Sequence, residues 1–99
     1  MRKVVFSRRA SIRLEELLQF LEREWSEKAK KDFIKKLDRS IHQITKHPDS
    51  TPESESVKGL HRCVVTKQTT LFYRYDSKTI QVAALFDTRQ HPDKLKKEL

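Results

Sequence analysis

Apolar side chains recur every three or four residues over two stretches in the first half of the chain. This spacing places them on one face of a helix and leaves the polar side chains on the other. Ser7 and Ser26 precede the two stretches and are suited to cap the helices, and Pro48 ends the second one. We therefore predict a helical hairpin over residues 8–46 with a turn at Trp25-Ser26. Its two apolar stripes consist of Leu14, Leu17, Leu18, Leu21 and Trp25, then Ala29, Phe33, Ile34, Leu37, Ile41 and Ile44.

The second half of the chain changes to the period-two pattern of β-strands. Residues 47–59 hold two prolines and the single glycine and are predicted to form a loop. An antiparallel meander is predicted over 60–87, followed by a tail over 88–99 that ends in a short helix from Pro92. Its three strands are predicted at Leu60–Thr66, Thr70–Tyr75 and Thr79–Phe86, after a first strand at Lys3–Ser7.

The alternation also predicts which side chains share a face of the sheet. In the second meander strand, Leu71, Tyr73 and Tyr75 are expected to lie opposite Phe72 and Arg74. In the third, Ile80, Val82, Ala84 and Phe86 are expected to share one face. The order is β-α-α-β-β-β, an α+β fold in which an N-terminal strand and a helical hairpin pack on an antiparallel sheet. The 99 residues are predicted to form one domain, 1–99.

Composition narrows the class of protein. No apolar run approaches the roughly 20 residues that span a bilayer, and the apolar segment after Arg2-Lys3 is too short for a signal peptide. A single cysteine cannot form an internal disulfide, which favours a reducing compartment. We therefore predict a cytoplasmic protein that does not associate with membranes. Its formal net charge of +8 favours an anionic partner, although a solvated basic surface explains it equally well.

Few of the polar residues form a pattern that indicates chemistry. His42 and His47 are five residues apart with no cysteine or second carboxylate in step, so neither a metal nor a cofactor is predicted. A row of cations along the second helix is either a solvated face or a site for phosphates or an acidic segment; it comprises Lys28, Lys31, Lys35 and Arg39. Arg62, Arg74 and Arg89 come from three strand regions and are either scattered or gathered on one face of the sheet.

Several segments, taken in order, resemble a known family. They are Phe6-Ser7-Arg8-Arg9-Ala10, Glu24-Trp25-Ser26, Phe33 with Leu37, Ile41 and Ile44, His47-Pro48, Leu71-Phe72-Tyr73-Arg74, and Leu85-Phe86-Asp87-Thr88-Arg89-Gln90. In their order and spacing the chain resembles the RelE/ParE toxins of bacterial type II toxin–antitoxin modules. The resemblance covers nearly the whole chain. It implies a compact toxin that a cognate antitoxin protein neutralises by wrapping around it.

The superfamily divides by target, and the resemblance favours its ParE-like branch. ParE-like members poison DNA gyrase by binding, and Trp25 before the turn, His47-Pro48 after it and the Leu85–Gln90 ending are similar to theirs. The resemblance implies gyrase contacts at Arg62, Arg74, Arg89 and Gln90. It implies antitoxin contacts at Leu17, Leu21, Trp25 and Phe33.

The alternative is a RelE-like endoribonuclease that cleaves mRNA on the ribosome. RNA cleavage at a 2′-hydroxyl needs a base, an acid and cations on the phosphate. Most positions where RelE-like relatives hold such groups carry other residues here, for example Thr70 in place of an arginine. A different arrangement would use Glu55, Arg62, Lys67, Arg74 and His91.

Overall fold

The computed structural model describes residues 2–55, 57–88 and 94–99. The predicted hairpin and meander are both present, in the predicted order. The strands are β1 (Lys3–Phe6), β2 (His61–Thr66), β3 (Thr69–Tyr75) and β4 (Thr79–Asp87), and the helices are α1 (Arg8–Glu24), α2 (Glu27–Lys46) and α3 (Leu95–Glu98). The start of the tail helix predicted at Pro92, and the candidate residues Arg89, Gln90 and His91, lie outside the described residues.

Serine caps begin both long helices, as the sequence predicts. The Ser7 hydroxyl accepts a hydrogen bond from the Ala10 amide at 3.1 Å, and the Ser26 hydroxyl accepts one from the Ala29 amide at 3.0 Å. Each bond satisfies an amide that has no partner within the first helical turn. Only Trp25 and Ser26 separate α1 from α2, so the chain reverses sharply and the two helices pack against each other.

The four strands form one mixed sheet in the order β1-β4-β3-β2. The meander β2–β4 is antiparallel, as predicted, whereas β1 pairs in parallel with β4. A parallel pair needs a crossover connection, and here the helical hairpin supplies it. The hairpin consequently covers one face of the sheet. Cys63, Tyr73 and Val82 lie on that face, in the main core with Phe33 and Leu37.

A bulge in β4 overturns the predicted face of that strand. Phe72 pairs with Ala84 and Tyr73 pairs with Val82, so Ala83 is an extra residue in the ladder. The extra residue reverses the alternation, because each side chain beyond it points to the other face. Ile80 and Val82 therefore pack under the helices, whereas Ala84 and Phe86 belong to a second cluster on the opposite face.

The second cluster explains why β3 is buried on both sides. Phe72 and Phe86 pack edge to face, with ring centroids 6.3 Å apart. Leu60 from the loop and Leu95 from α3 cover them, and both are almost fully buried. The chain's last helix is thus part of the fold, although it has only four residues.

Tyr73 joins the sheet to the segment that follows α2. Its side chain is 0% exposed, and its hydroxyl donates to the Pro48 carbonyl at 2.6 Å. The Thr51 hydroxyl lies 2.6 Å from the Tyr73 phenol oxygen. Thr51 must donate this second hydrogen bond, because the one phenol hydrogen is already donated to Pro48. The His61 ring stacks on Tyr73 at 5.5 Å. Burial raises the pKa of the Tyr73 phenol.

Replacing Tyr73 with phenylalanine should lower the free energy of unfolding by about 1–3 kcal/mol, because the buried Pro48 carbonyl loses its donor. The raised pKa means that the folded state binds the phenol proton more tightly than the unfolded state does. The stability that this proton contributes is complete below the ordinary tyrosine pKa of about 10, and it is lost as the pH rises through the higher pKa of the folded state. Urea unfolding should therefore show a difference between parent and Y73F that narrows above about pH 10. The control is Y75F, which should cost less than about 0.5 kcal/mol; equal effects of the two variants would contradict this account.

Candidate functional site

A groove of about 560 Å³ runs along α1, between that helix, the ends of β3 and β4, and α3. We call it the α1 groove. Its lining residues are Arg13, Leu17, Phe20, Leu21 and Trp25 from α1, Gln68 and Thr69 from the β2–β3 turn and the start of β3, Leu85, Phe86 and Asp87 from β4, and Lys94, Lys97 and Glu98 from the C-terminal segment. Its volume lies within the range of specific binding pockets, about 300–1,000 Å³.

Two large aromatic side chains of α1 are exposed at this groove. Trp25, which caps the C-terminus of α1, is 73% exposed, and Phe20 is 43% exposed. Leu17 and Leu21 are half-buried and pack against the core, so they form the apolar floor. Exposed aromatic side chains of this kind are enriched where proteins bind one another.

An ion-pair cluster closes one side of the groove. The Arg13 Nε donates to Glu98 Oε1 at 2.6 Å, and the Arg9 guanidinium lies 3.5 Å from Glu98 Oε2. Arg9 also donates to the Lys97 carbonyl. The Glu98 hydrogen bond and charge raise the pKa of Arg13 further above its already high value. These contacts hold α3 against the first two turns of α1.

The groove contains three of the four side chains predicted to contact an antitoxin. Leu17, Leu21 and Trp25 line it, whereas Phe33 is 6% exposed and belongs to the main core. Phe33 is therefore unavailable to a partner without a rearrangement of α2. Phe20 was not predicted as a contact, although an aromatic residue outside the leucine stripe of α1 is a usable signal for an exposed contact. The short tail helix was predicted, but its contact with α1 was not, because nothing local links Glu98 to Arg13.

Arg62 and Arg74 lie on the sheet face away from the helical hairpin, and both are exposed. Arg62 pairs with Phe72 across β2 and β3, and Arg74 is two residues beyond Phe72 on the same face. Such diagonal neighbours are roughly 7–8 Å apart, so the two arginines are adjacent. Arg74 also lines a smaller cavity of about 280 Å³ with Val5, Ser7 and Gln81. We call Arg62 and Arg74 the sheet arginines.

The structure separates one of the described residues proposed for RNA cleavage from the others. Lys67 follows the end of β2, whereas Arg62 lies at its start, roughly 16 Å away at the rise of a strand. Glu55 is exposed in the loop that precedes β2. Because Glu53 forms a β-bridge with His61, this part of the loop lies near the Arg62 end of β2. Of the described residues, Glu55, Arg62 and Arg74 therefore lie toward one end of the sheet and Lys67 toward the other. His91 lies outside the described residues.

The sequence matches the family model of the ParE toxin of the type II toxin–antitoxin system parDE over residues 4–92. The chain belongs to the ParE toxin family. The part of the chain that matches the ParE model contains α1 and all four strands apart from Lys3, so it includes the floor of the α1 groove and both sheet arginines. The match ends before α3, and the Arg13–Glu98 closure of the groove therefore lies partly outside it.

Solved structures show that the chain has a ParE-like fold. Eleven chains match it, and one of them comes from the chromosomal ParDE system of P. aeruginosa. The two share 11% sequence identity with a TM-score of 0.73, over 88% of this chain and 96% of the other. At 11% sequence identity, this similarity shows only that the two chains share a fold. No curated protein sequence is significantly similar.

Two further properties of the ParE chain concern the described residues alone. No three His, Cys, Asp or Glu side chains in this part of the molecule are close enough to hold a metal ion. None of the helices within it has the length and apolar composition needed to cross a bilayer.

Proposed function

We propose that this ParE-family chain inhibits DNA gyrase by binding to it, and that a cognate antitoxin neutralises it by occupying the α1 groove. The gyrase target is proposed from membership of the ParE family. The antitoxin site is proposed from the pair of exposed aromatic side chains, Trp25 and Phe20, on a groove with an apolar floor. The separation of Lys67 from Arg62 also favours binding over RNA cleavage, because general acid–base catalysis requires groups within hydrogen-bond reach of one substrate. The solved ParDE structure supports the pairing with an antitoxin.

The groove favours an antitoxin segment of particular chemistry. Its apolar floor suits the apolar face of an amphipathic helix, with anchors spaced three or four residues apart. Lys94 and Lys97 lie on its border, whereas Arg13 is already paired with Glu98, so an acidic residue that flanks those anchors near the two lysines would be favoured. Binding of this segment would cover Trp25 and Phe20.

The sheet arginines are the proposed gyrase contacts, together with Arg89 and Gln90. Arg62 and Arg74 are adjacent, exposed and outside the α1 groove. Arginine forms bidentate hydrogen bonds with carboxylates and phosphates, and both are available on a complex of gyrase with DNA.

The proposal is tested by adding the purified chain to gyrase, supercoiled plasmid and ATP, and then removing protein with detergent and protease. Linear plasmid should accumulate in proportion to the chain, because a poison traps the cleaved DNA, and prior addition of the antitoxin should prevent it. A translation extract programmed with a reporter mRNA is the counter-assay. Normal supercoiling at a molar excess of the chain, together with cleavage of the reporter mRNA, would establish the RelE-like alternative instead.

A further inference from the structure

The outer face of α2 carries a row of five cations. Successive members of the row are three, four, four and seven residues apart, so all five lie within an arc of about 80° around the helix axis. His42 lies inside the seven-residue interval. This arc is opposite the side that buries Phe33, Leu37 and Ile44. The first and last cations of the row are 18 residues apart in sequence, or roughly 27 Å at the rise of an α-helix. We call it the α2 basic row, and it consists of Lys28, Lys31, Lys35, Arg39 and Lys46.

Acidic side chains leave this row almost entirely unneutralised. All five cations are exposed. Within residues 2–55, 57–88 and 94–99, the one ion pair that involves them joins Lys31 to Glu27 at 3.6 Å. Asp32 and Asp38 border the arc, each about 20° beyond one of its ends, but neither forms an ion pair with a cation of the row. A fold of this size gains nothing from concentrating like charges on one helix face, since they repel one another.

From these observations we propose that the α2 basic row is a binding surface for the phosphate backbone of duplex DNA. A rigid duplex carries one phosphate per roughly 1.7 Å of axis over its two strands, and a row of roughly 27 Å is close in length to one helical turn of about 34 Å, so its cations can reach phosphates that border a groove. Single-stranded nucleic acid is disfavoured, because proteins bind it by stacking bases on aromatic side chains and His42 is the one ring along the row. The preference for DNA over duplex RNA rests on the proposed gyrase target, whose substrate is DNA.

The row and the α1 groove are on different helices and share no residue. An antitoxin segment that occupies the groove alone would leave the row uncovered. The row also lacks both sheet arginines, which come from β2 and β3. DNA binding is therefore separable from gyrase inhibition and from neutralisation.

The test measures binding of the full chain, made by cell-free synthesis, to a labelled 25-base-pair DNA duplex by fluorescence anisotropy over a range of salt. Contacts with five phosphates should give a slope of log K against log salt of about −4.5, with dissociation constants of about 10⁻⁶–10⁻⁴ M near physiological salt. The row variant K28Q/K35Q/R39Q should reduce the slope to about −1.8 and weaken binding at least about tenfold. The control K3Q/K58Q/K78Q removes three exposed cations that lie outside α2 and should keep the parental slope.

Circular dichroism melting of both triple variants confirms that they fold. Equal losses in the two variants would overturn the proposal, because they would show that net charge, and not the row, attracts DNA. Tighter binding of a duplex RNA or of poly-L-glutamate than of the DNA would overturn it too. None of these results depends on gyrase, so the proposed function is tested apart from them.

Discussion

Replacing Trp25 with alanine is expected to weaken binding of the antitoxin by about 30- to 700-fold, which corresponds to about 2–4 kcal/mol. The indole is 73% exposed in the free chain, so an antitoxin helix in the α1 groove would bury most of it. Buried aromatic anchors of this kind dominate protein interfaces. Because the side chain contributes little to the core, the free energy of unfolding of W25A should change by less than about 1 kcal/mol.

Calorimetric titration of the purified chain with its antitoxin measures this loss. V64A is the matched control, since Val64 is also a large exposed apolar side chain, at 67%, but lies on β2 outside the groove. It should bind as the parent does. Parental affinity in W25A, or an equal loss in V64A, would show that the antitoxin uses another surface.

Removing both sheet arginines is expected to cause the second large effect, a loss of gyrase poisoning. The variant R62A/R74A should need at least about 100-fold more protein to produce the same amount of linear plasmid, because each charge-assisted hydrogen bond contributes about 1.5–3 kcal/mol. R62K/R74K should recover only part of the activity, since lysine keeps the charge but not the bidentate geometry. Both variants should bind the antitoxin normally, which shows that they are folded.

K36A/K78A is the control for charge, because it removes one exposed cation from α2 and one from the turn between β3 and β4. It should poison gyrase as the parent does. Full activity of R62A/R74A in the plasmid assay would remove the sheet arginines from the proposed interface while leaving the gyrase target itself in place.

The helical hairpin was predictable from the sequence because each of its determinants is local. The apolar periodicity, the capping hydroxyls of Ser7 and Ser26 and the proline after α2 all act within a few residues. The strands of the meander were predictable for the same reason. Their register was not, because the bulge at Ala83 arises from how β4 pairs with β3 and no residue type marks it.

The candidate site was predictable only in part. Leu17, Leu21 and Trp25 were assigned from the resemblance together with their helical spacing, and the structure places all three on one groove. Phe33 follows the same helical spacing in α2 but points into the core. The sequence could not predict this difference, because periodicity does not distinguish a stripe that packs on the sheet from one that remains open. The closure by Glu98 depends on contact with Arg13 across 85 residues, which no local pattern encodes.

The measurement that tests the central claim most directly is pulse labelling after induction of the chain, without antitoxin, in a bacterial host. Incorporation of thymidine and of methionine is followed over the first minutes. The account predicts that DNA synthesis falls first while protein synthesis continues, and that co-expression of the antitoxin restores it. Early collapse of methionine incorporation, or normal incorporation of both labels in cells that contain the chain, would contradict the account.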